Sequence, residues 1–179
     1  PSGSTIVGGI QAPQQGLIWT DIDLYSMQYV GPPNVFGFSK IMAGCGLIGS
    51  HAAGQLGNTV YWMSQEQFFA MSGGSPVAMP CSVWDYVFQN LDMDNAYKVR
   101  CKPNSNFATI GWEFPSLSGG TGENDSYVEY NAIEGEWTTG QYPQIGRSAW
   151  IDQSLLGPPI AGTPTGLIYQ HEVGYDGDS

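Results

Sequence analysis

The sequence predicts an all-β protein, a β-propeller segment of about three to four blade-like antiparallel units with one short helix. Three observations carry this. Gly (25) and Pro (12) are abundant, aromatics reach 13% and charged residues only 12% of 179 residues; many short strands joined by tight turns have this composition. β-branched and aromatic runs recur between turn residues: GLIWTD from Gly16, NTVYWM from Asn58, ATIGWE from Ala108 and TGLIYQ from Thr165. Their aromatic ends, Trp19, Trp62, Trp112 and Tyr169, are spaced by roughly 40–60 residues, near the period of four-stranded blades. A β-sandwich is the alternative architecture, since regular strands with turn signals suit it too.

Residues 1–15 are expected to form an entry segment, with Ser4-Thr5-Ile6-Val7 as their strand-like piece, and 16–179 the propeller portion. Leu17 to Thr20 and Leu24 to Val30 read as a hairpin, ended by Gly31-Pro32-Pro33-Asn34 because two prolines do not fit a paired central strand. Val35 to Phe38 reads as a third strand, and Leu47-Ile48 as a strand inside a glycine-rich connection. Asn58 to Leu91 is the best-formed unit: strands at Thr59–Met63 and Phe68–Met71, a turn at Ser72 to Pro76, then a helix from Ser82 to Leu91. Val83, Trp84, Val87, Phe88 and Leu91 give that helix one apolar face, with Ser82 as its N-cap. Further strands are expected at Ala96–Cys101, Phe107–Phe114, Ser126–Tyr130 paired with Glu136–Thr139, Arg147–Asp152 and Gly166–Glu172. Ser116 to Asp125 reads as an exposed hairpin tip, and Gly157 to Thr165 as a loop. The chain starts at Pro1 without an initiator Met and stops at Gly177-Asp178-Ser179, as expected of part of a longer chain.

The net charge is −11, from 16 acidic and five basic residues. That argues against a surface that grips phosphate by neutralising it. Cys45, Cys81 and Cys101 are odd in number and lack metal-site spacing, so they read as small buried residues of a reducing compartment. No run approaches the roughly 18 apolar residues of a membrane span, so none is expected.

Few short motifs carry chemistry. Gly44 to Gly49 matches G-x-G-x-x-G, but Gly54, Gly57 and a strand by Thr59 leave no room for the helix that receives a pyrophosphate. These read as loop glycines, with no cofactor. Asp21, Asp23, Glu66, Asp85, Glu113, Glu134 and Glu136 are the pool from which a glycosidase would draw its acid and base, and solvated turn acids explain them equally well. His51 and His171 are not in a metal-binding spacing, and Asp92 to Asn95 lacks the Gly and distal Glu of a calcium loop. Asn124-Asp125-Ser126 is a glycosylation sequon by pattern. No catalytic, cofactor or metal residues emerge, and the six tryptophans read as core.

Longer stretches carry a resemblance. LIWTDIDLYSMQYVGPPNVFGF, NTVYWMSQEQFFAMSGG, PCSVWDYVFQNLD, NDSYVEYNAIEGEW, RSAWID and LIYQHEVGYD together resemble the β-propeller tail accessory proteins of short-tailed bacteriophages. Proteins of that family close the portal exit, retain packaged DNA or form the tail nozzle. The resemblance covers most of Gly16 to Asp176, and the family's members are considerably longer. It implies a non-enzymatic virion structural protein at the tail or head–tail junction, assembled in the host cytoplasm. It also implies a homo-oligomeric ring, contacts with other tail or portal proteins, and transient passage of phage DNA without specific binding. The alternative is a carbohydrate-binding or glycan-hydrolysing propeller on the virion.

Overall fold

The computed structural model describes residues 5–13, 15–143, 146–152 and 157–173. It is all-β, with four antiparallel sheets and no closed barrel. Sheet 1 holds β1 (Ile6–Gln11), β2 (Gly16–Thr20), β3 (Asp23–Tyr29) and β4 (Phe36–Ala43). Sheet 2 holds β5 (Ala53–Leu56), β6 (Thr59–Met63), β7 (Phe68–Met71) and β8 (Val77–Met79). After α1 (Trp84–Phe88) and a 3-10 helix (Met93–Lys98), sheet 3 follows as β9 (Arg100–Asn104), β10 (Thr109–Pro115), β11 (Asn124–Asn131) and β12 (Trp137–Gln141). Sheet 4 has β13 (Ala149–Ile151), β14 (Ile160–Gly162) and β15 (Ile168–Gln170). Within every sheet each strand pairs with its neighbours in sequence, the up-and-down order that short turns allow.

The sheets stack face to face, and their first strands are neighbours: β1 lies against β5, β5 against β9, and β9 against β13. Alternation within each strand gives every sheet two faces, and aromatic rings fill the first two gaps. Trp19 of sheet 1 meets Trp62 of sheet 2 at 5.3 Å, edge to face. Phe68, on the other face of sheet 2, meets Trp112 and Trp137 of sheet 3 at 4.6 and 4.9 Å. Trp19, Trp62, Trp112 and Phe68 are wholly buried, so the expectation that the aromatics are core is met for these four.

The connection Gly44 to Ala52 ties three sheets together. Its Leu47 N–H donates to the Thr20 carbonyl (3.1 Å) and its Ile48 N–H to that of Met63 (3.1 Å). In return the Cys45 carbonyl accepts from the Trp62 indole (2.9 Å), and the Ala52 carbonyl from the Trp112 indole (2.9 Å). The G-x-G-x-x-G glycines are therefore linker residues that allow close approach, with no helix after them. A Cβ on Gly46 would lie 2.2 Å from the Asp21 carbonyl oxygen. Gly46→Ala is expected to cost about 1–3 kcal/mol by overpacking, read as a lower urea midpoint. Gly74→Ala, where a Cβ meets nothing within 4 Å, serves as the unaffected control.

Several expectations are corrected. The entry segment contains β1, paired with β2, so sheet 1 begins before residue 16. Leu47-Ile48 is not a strand, whereas β8, in the apolar connection after the Ser72 to Pro76 turn, and β14, in the expected Gly157 to Thr165 loop, are strands of three residues that pairing creates. The helix is confined to Trp84–Phe88, and its N-cap is Val83, with no side-chain cap. Its expected last turn is taken up by sheet 3: the Asn90 carbonyl accepts from the Leu117 N–H (2.7 Å), and the Asp92 N–H donates to the Pro115 carbonyl (2.9 Å). Ala96 to Lys98 is 3-10 helix, started by the Asp92 side chain accepting from the Asp94 N–H (3.1 Å). The four matched runs are not four equivalent strands. β15 is the third strand of its sheet, and Trp19 faces the following sheet whereas Trp62 and Trp112 face the preceding one.

Candidate functional site

The third gap, between sheets 3 and 4, is built differently. Along β10, Ile110, Trp112 and Phe114 point to sheet 2, so Gly111 and Glu113 point the other way. Cross-strand pairing sets Lys102 and Glu129 beside Gly111, and Arg100 and Tyr127 beside Glu113. The face is therefore ionic where its counterparts are aromatic.

Its centre is Lys102. The buried ammonium lies 2.6 Å from Glu129 and 3.9 Å from Glu113, and 4.3 Å from the centre of the Tyr127 ring. Glu113 Oε1 accepts from the Tyr142 hydroxyl at 2.7 Å. Arg147 stacks on Tyr169 (4.1 Å) and Tyr142 (4.8 Å), and its Nε donates to His171 Nε2 (3.1 Å). The Trp150 indole donates to the Pro103 carbonyl (2.6 Å), and Ser105 bonds Asp152 through both its N–H and its hydroxyl. Beside this interface opens a cavity of about 410 Å³, lined in part by Ser118, Asp125, Gln141, Tyr142 and Thr165.

Burial dominates the titration of this gap. It pushes the Glu113 carboxyl up to about 7, against the opposing pull of Lys102 and the Tyr142 hydrogen bond. Burial, then the Glu113 charge, raises the Tyr142 phenol. Folded Glu113 thus holds its proton more tightly than an unfolded carboxyl near 4.5. Its contribution to stability is complete below that ordinary value and is lost as pH rises to about 7. Urea melts across this window should show stability falling with pH, and Glu113→Gln should remove most of that slope.

The other predicted residues are dispersed. Asp23 is buried on Lys40 at 2.7 Å, and Asp21 accepts weakly from the Thr5 N–H. Glu66 and Asp85 lie exposed on a turn and on α1, and Glu134 and Glu136 are exposed together on the β11–β12 turn. Glu113 meets a second carboxylate, Glu129, across the shared Lys102 cation, and that partner was not singled out. His51 bridges to Arg100 while His171 contacts Arg147. Cys45, Cys81 and Cys101 are free, the first and last buried and Cys81 half-buried; burial raises all three thiols, Cys45 to about 11. Asn124 of the sequon is buried, and its amide donates to the Lys98 and Arg147 carbonyls. Among the described residues no group of three or more His, Cys, Asp or Glu is placed to hold a metal ion.

Lys102 and Arg147 are buried, whereas Lys40 and Lys98 keep partly exposed side chains. Lys40, Lys98 and Lys102 are ion-paired, Arg147 lies between aromatic rings, and Arg100 is half-buried within the field of Glu113. Exposed acids at Glu66, Asp85, Asp94, Glu134 and Glu136 leave an acidic surface. No helix among the described residues is long and apolar enough to cross a membrane. No protein-family model and no curated protein matches the chain.

Proposed function

We propose that the four sheets are consecutive blades of a β-propeller and that the chain is a non-enzymatic virion structural protein of a bacteriophage tail or head–tail junction. In this role it closes or extends the DNA exit channel as part of a homo-oligomeric ring, in contact with other tail or portal proteins. The observation that carries this reading is the stacking: four up-and-down sheets, face to face, with successive first strands side by side. Propellers place their blades this way, around the first strands. The charge distribution supports it. Sixteen acidic residues against five basic ones, with Lys102 and Arg147 buried, leave an acidic exterior, which lets a polyanion pass without sticking, where a basic wall would trap it.

Gel-shift and glycan-array measurements on the purified chain test the reading together. Neither duplex DNA at low salt nor any glycan should be retained. Retention of DNA would contradict passage without specific binding. Retention of a glycan that is lost on changing Trp84, 40% exposed on α1, would favour the carbohydrate-binding alternative.

A further inference from the structure

Every gap in the stack sets an aromatic face against the sheet before it. Sheet 2 turns Trp62, stacked on Phe69, toward sheet 1. Sheet 3 turns Trp112 and Trp137 toward sheet 2. Sheet 4 turns Trp150 toward Pro103 of sheet 3, with Tyr169 in the same cross-strand row. The two ends of the stack leave one face of each kind uncovered.

On sheet 1, Leu17, Trp19 and Leu24 lie on the face toward sheet 2, so residues of the opposite parity face away. Cross-strand pairing groups Ile18 with Tyr25, Met27 with Gly16 and Phe38, and Tyr29 with Phe36 on that open face. Phe38 is 63% and Tyr29 70% exposed. Between Ile18 and Met27, the glycines Gly9 and Gly16 leave a notch of about 220 Å³. On sheet 4 the row Trp150–Ala161–Tyr169 faces sheet 3, which puts Ala149, Ile151, Ile160 and Ile168 on its open face. Ile151 is 55% and Ile168 78% exposed. One end of the stack is an aromatic face with a glycine notch, and the other is a face of aliphatic side chains.

We propose that the aromatic face of sheet 1 seats on the aliphatic face of sheet 4 of a second copy, so that two chains joined head to tail close one ring of eight sheets. The contact continues the stacking that holds within the chain, and it brings β1 beside the second copy's β13 as β5 lies beside β1. Aliphatic side chains fill the notch over Gly9 and Gly16, and burial of two apolar faces drives association. Charge permits it. β13, β14 and β15 contain no Asp, Glu, Lys, Arg or His, and the one charged pair of sheet 1's strands, Asp23 with Lys40, is held together at 2.7 Å. Two chains of net charge −11 therefore meet here without opposed acids. Closure also fits the count: two chains of four sheets reach the upper end of the roughly four to eight blades of propellers. The proposal rests on the reading of the sheets as propeller blades.

Sedimentation and solution X-ray scattering of the 179-residue chain, measured against concentration, test this. The expected result is a dimer at high concentration, shaped as a flat disc. Phe38→Glu and Ile168→Glu should each weaken dimerisation by about tenfold or more, and both should keep the near-UV spectrum of the monomer. Mixing the two variants should restore a heterodimer, because the intact face of each meets the intact face of the other. A monomer at all concentrations overturns the contact and leaves the blade reading standing. A dimer that either variant leaves intact overturns the contact too, as do variants that stay monomeric when mixed. An open filament, the other product of a head-to-tail contact, would support the paired faces but overturn the ring, and with it the blade reading.

Discussion

Trp112→Ala should cost about 3–5 kcal/mol, the range for deleting a buried aromatic ring. Trp112 is wholly buried in the gap between sheets 2 and 3, at 4.6 Å from Phe68 and 6.3 Å from Trp137. Its indole also satisfies the Ala52 carbonyl at the entry to β5. The substitution opens a cavity between two sheets and removes one of the two hydrogen bonds that the Ala52 carbonyl accepts, the other coming from the Met63 N–H (3.2 Å). Against the roughly 5–15 kcal/mol by which domains are stable, this should take the chain close to unfolding at 25 °C. Chemical denaturation followed by tryptophan fluorescence reads it directly. Trp112→Phe should recover most of the packing and little of the hydrogen bond.

Lys102→Met should be comparably severe, about 3–5 kcal/mol, for an electrostatic reason. Removing one partner of a buried pair leaves an uncompensated charge, which costs more than the pair itself contributed. Here two carboxylates, Glu113 and Glu129, lose the ammonium that lies between them. The penalty should depend on pH, because Glu113 can take up a proton. The variant should lie closest to wild type near pH 5, where that carboxyl is neutral, and farthest from it above about 7, where it is charged. Adding Glu113→Gln to Lys102→Met should recover part of the loss at pH 8 and little at pH 5. An equal loss at both values would contradict the ionic account of the gap between sheets 3 and 4.

The core of the stack was legible in the sequence because it is local. Thr59–Met63 and Phe68–Met71 announce themselves by β-branched and aromatic composition, and their side chains do fill the gaps between sheets. The third gap was not legible. Lys102, Glu113, Glu129, Tyr142, Arg147 and His171 come from separate segments, and only register brings them together. One signal was available: Glu113 interrupts an otherwise apolar strand, at the parity opposite to Ile110, Trp112 and Phe114. The helix was overread for a related reason. Val83 to Leu91 has the apolar period, but the backbone of Asn90 and Asp92 hydrogen-bonds to the end of β10 and the turn after it, so tertiary pairing ends the helix early. The matched aromatic runs reported residue type without orientation or place in the sheet, which is why Trp19, facing the other way, and Tyr169, in a third strand, fall out of the repeat.

The proposed role is tested most directly by a density map of purified virions with this chain located in it. The account predicts a ring on the tail axis or head–tail junction, with sheets 1 to 4 as adjacent blades and acidic residues along the DNA path. A position off that axis, or two packed sheets of a sandwich in place of radially arranged blades, would contradict it.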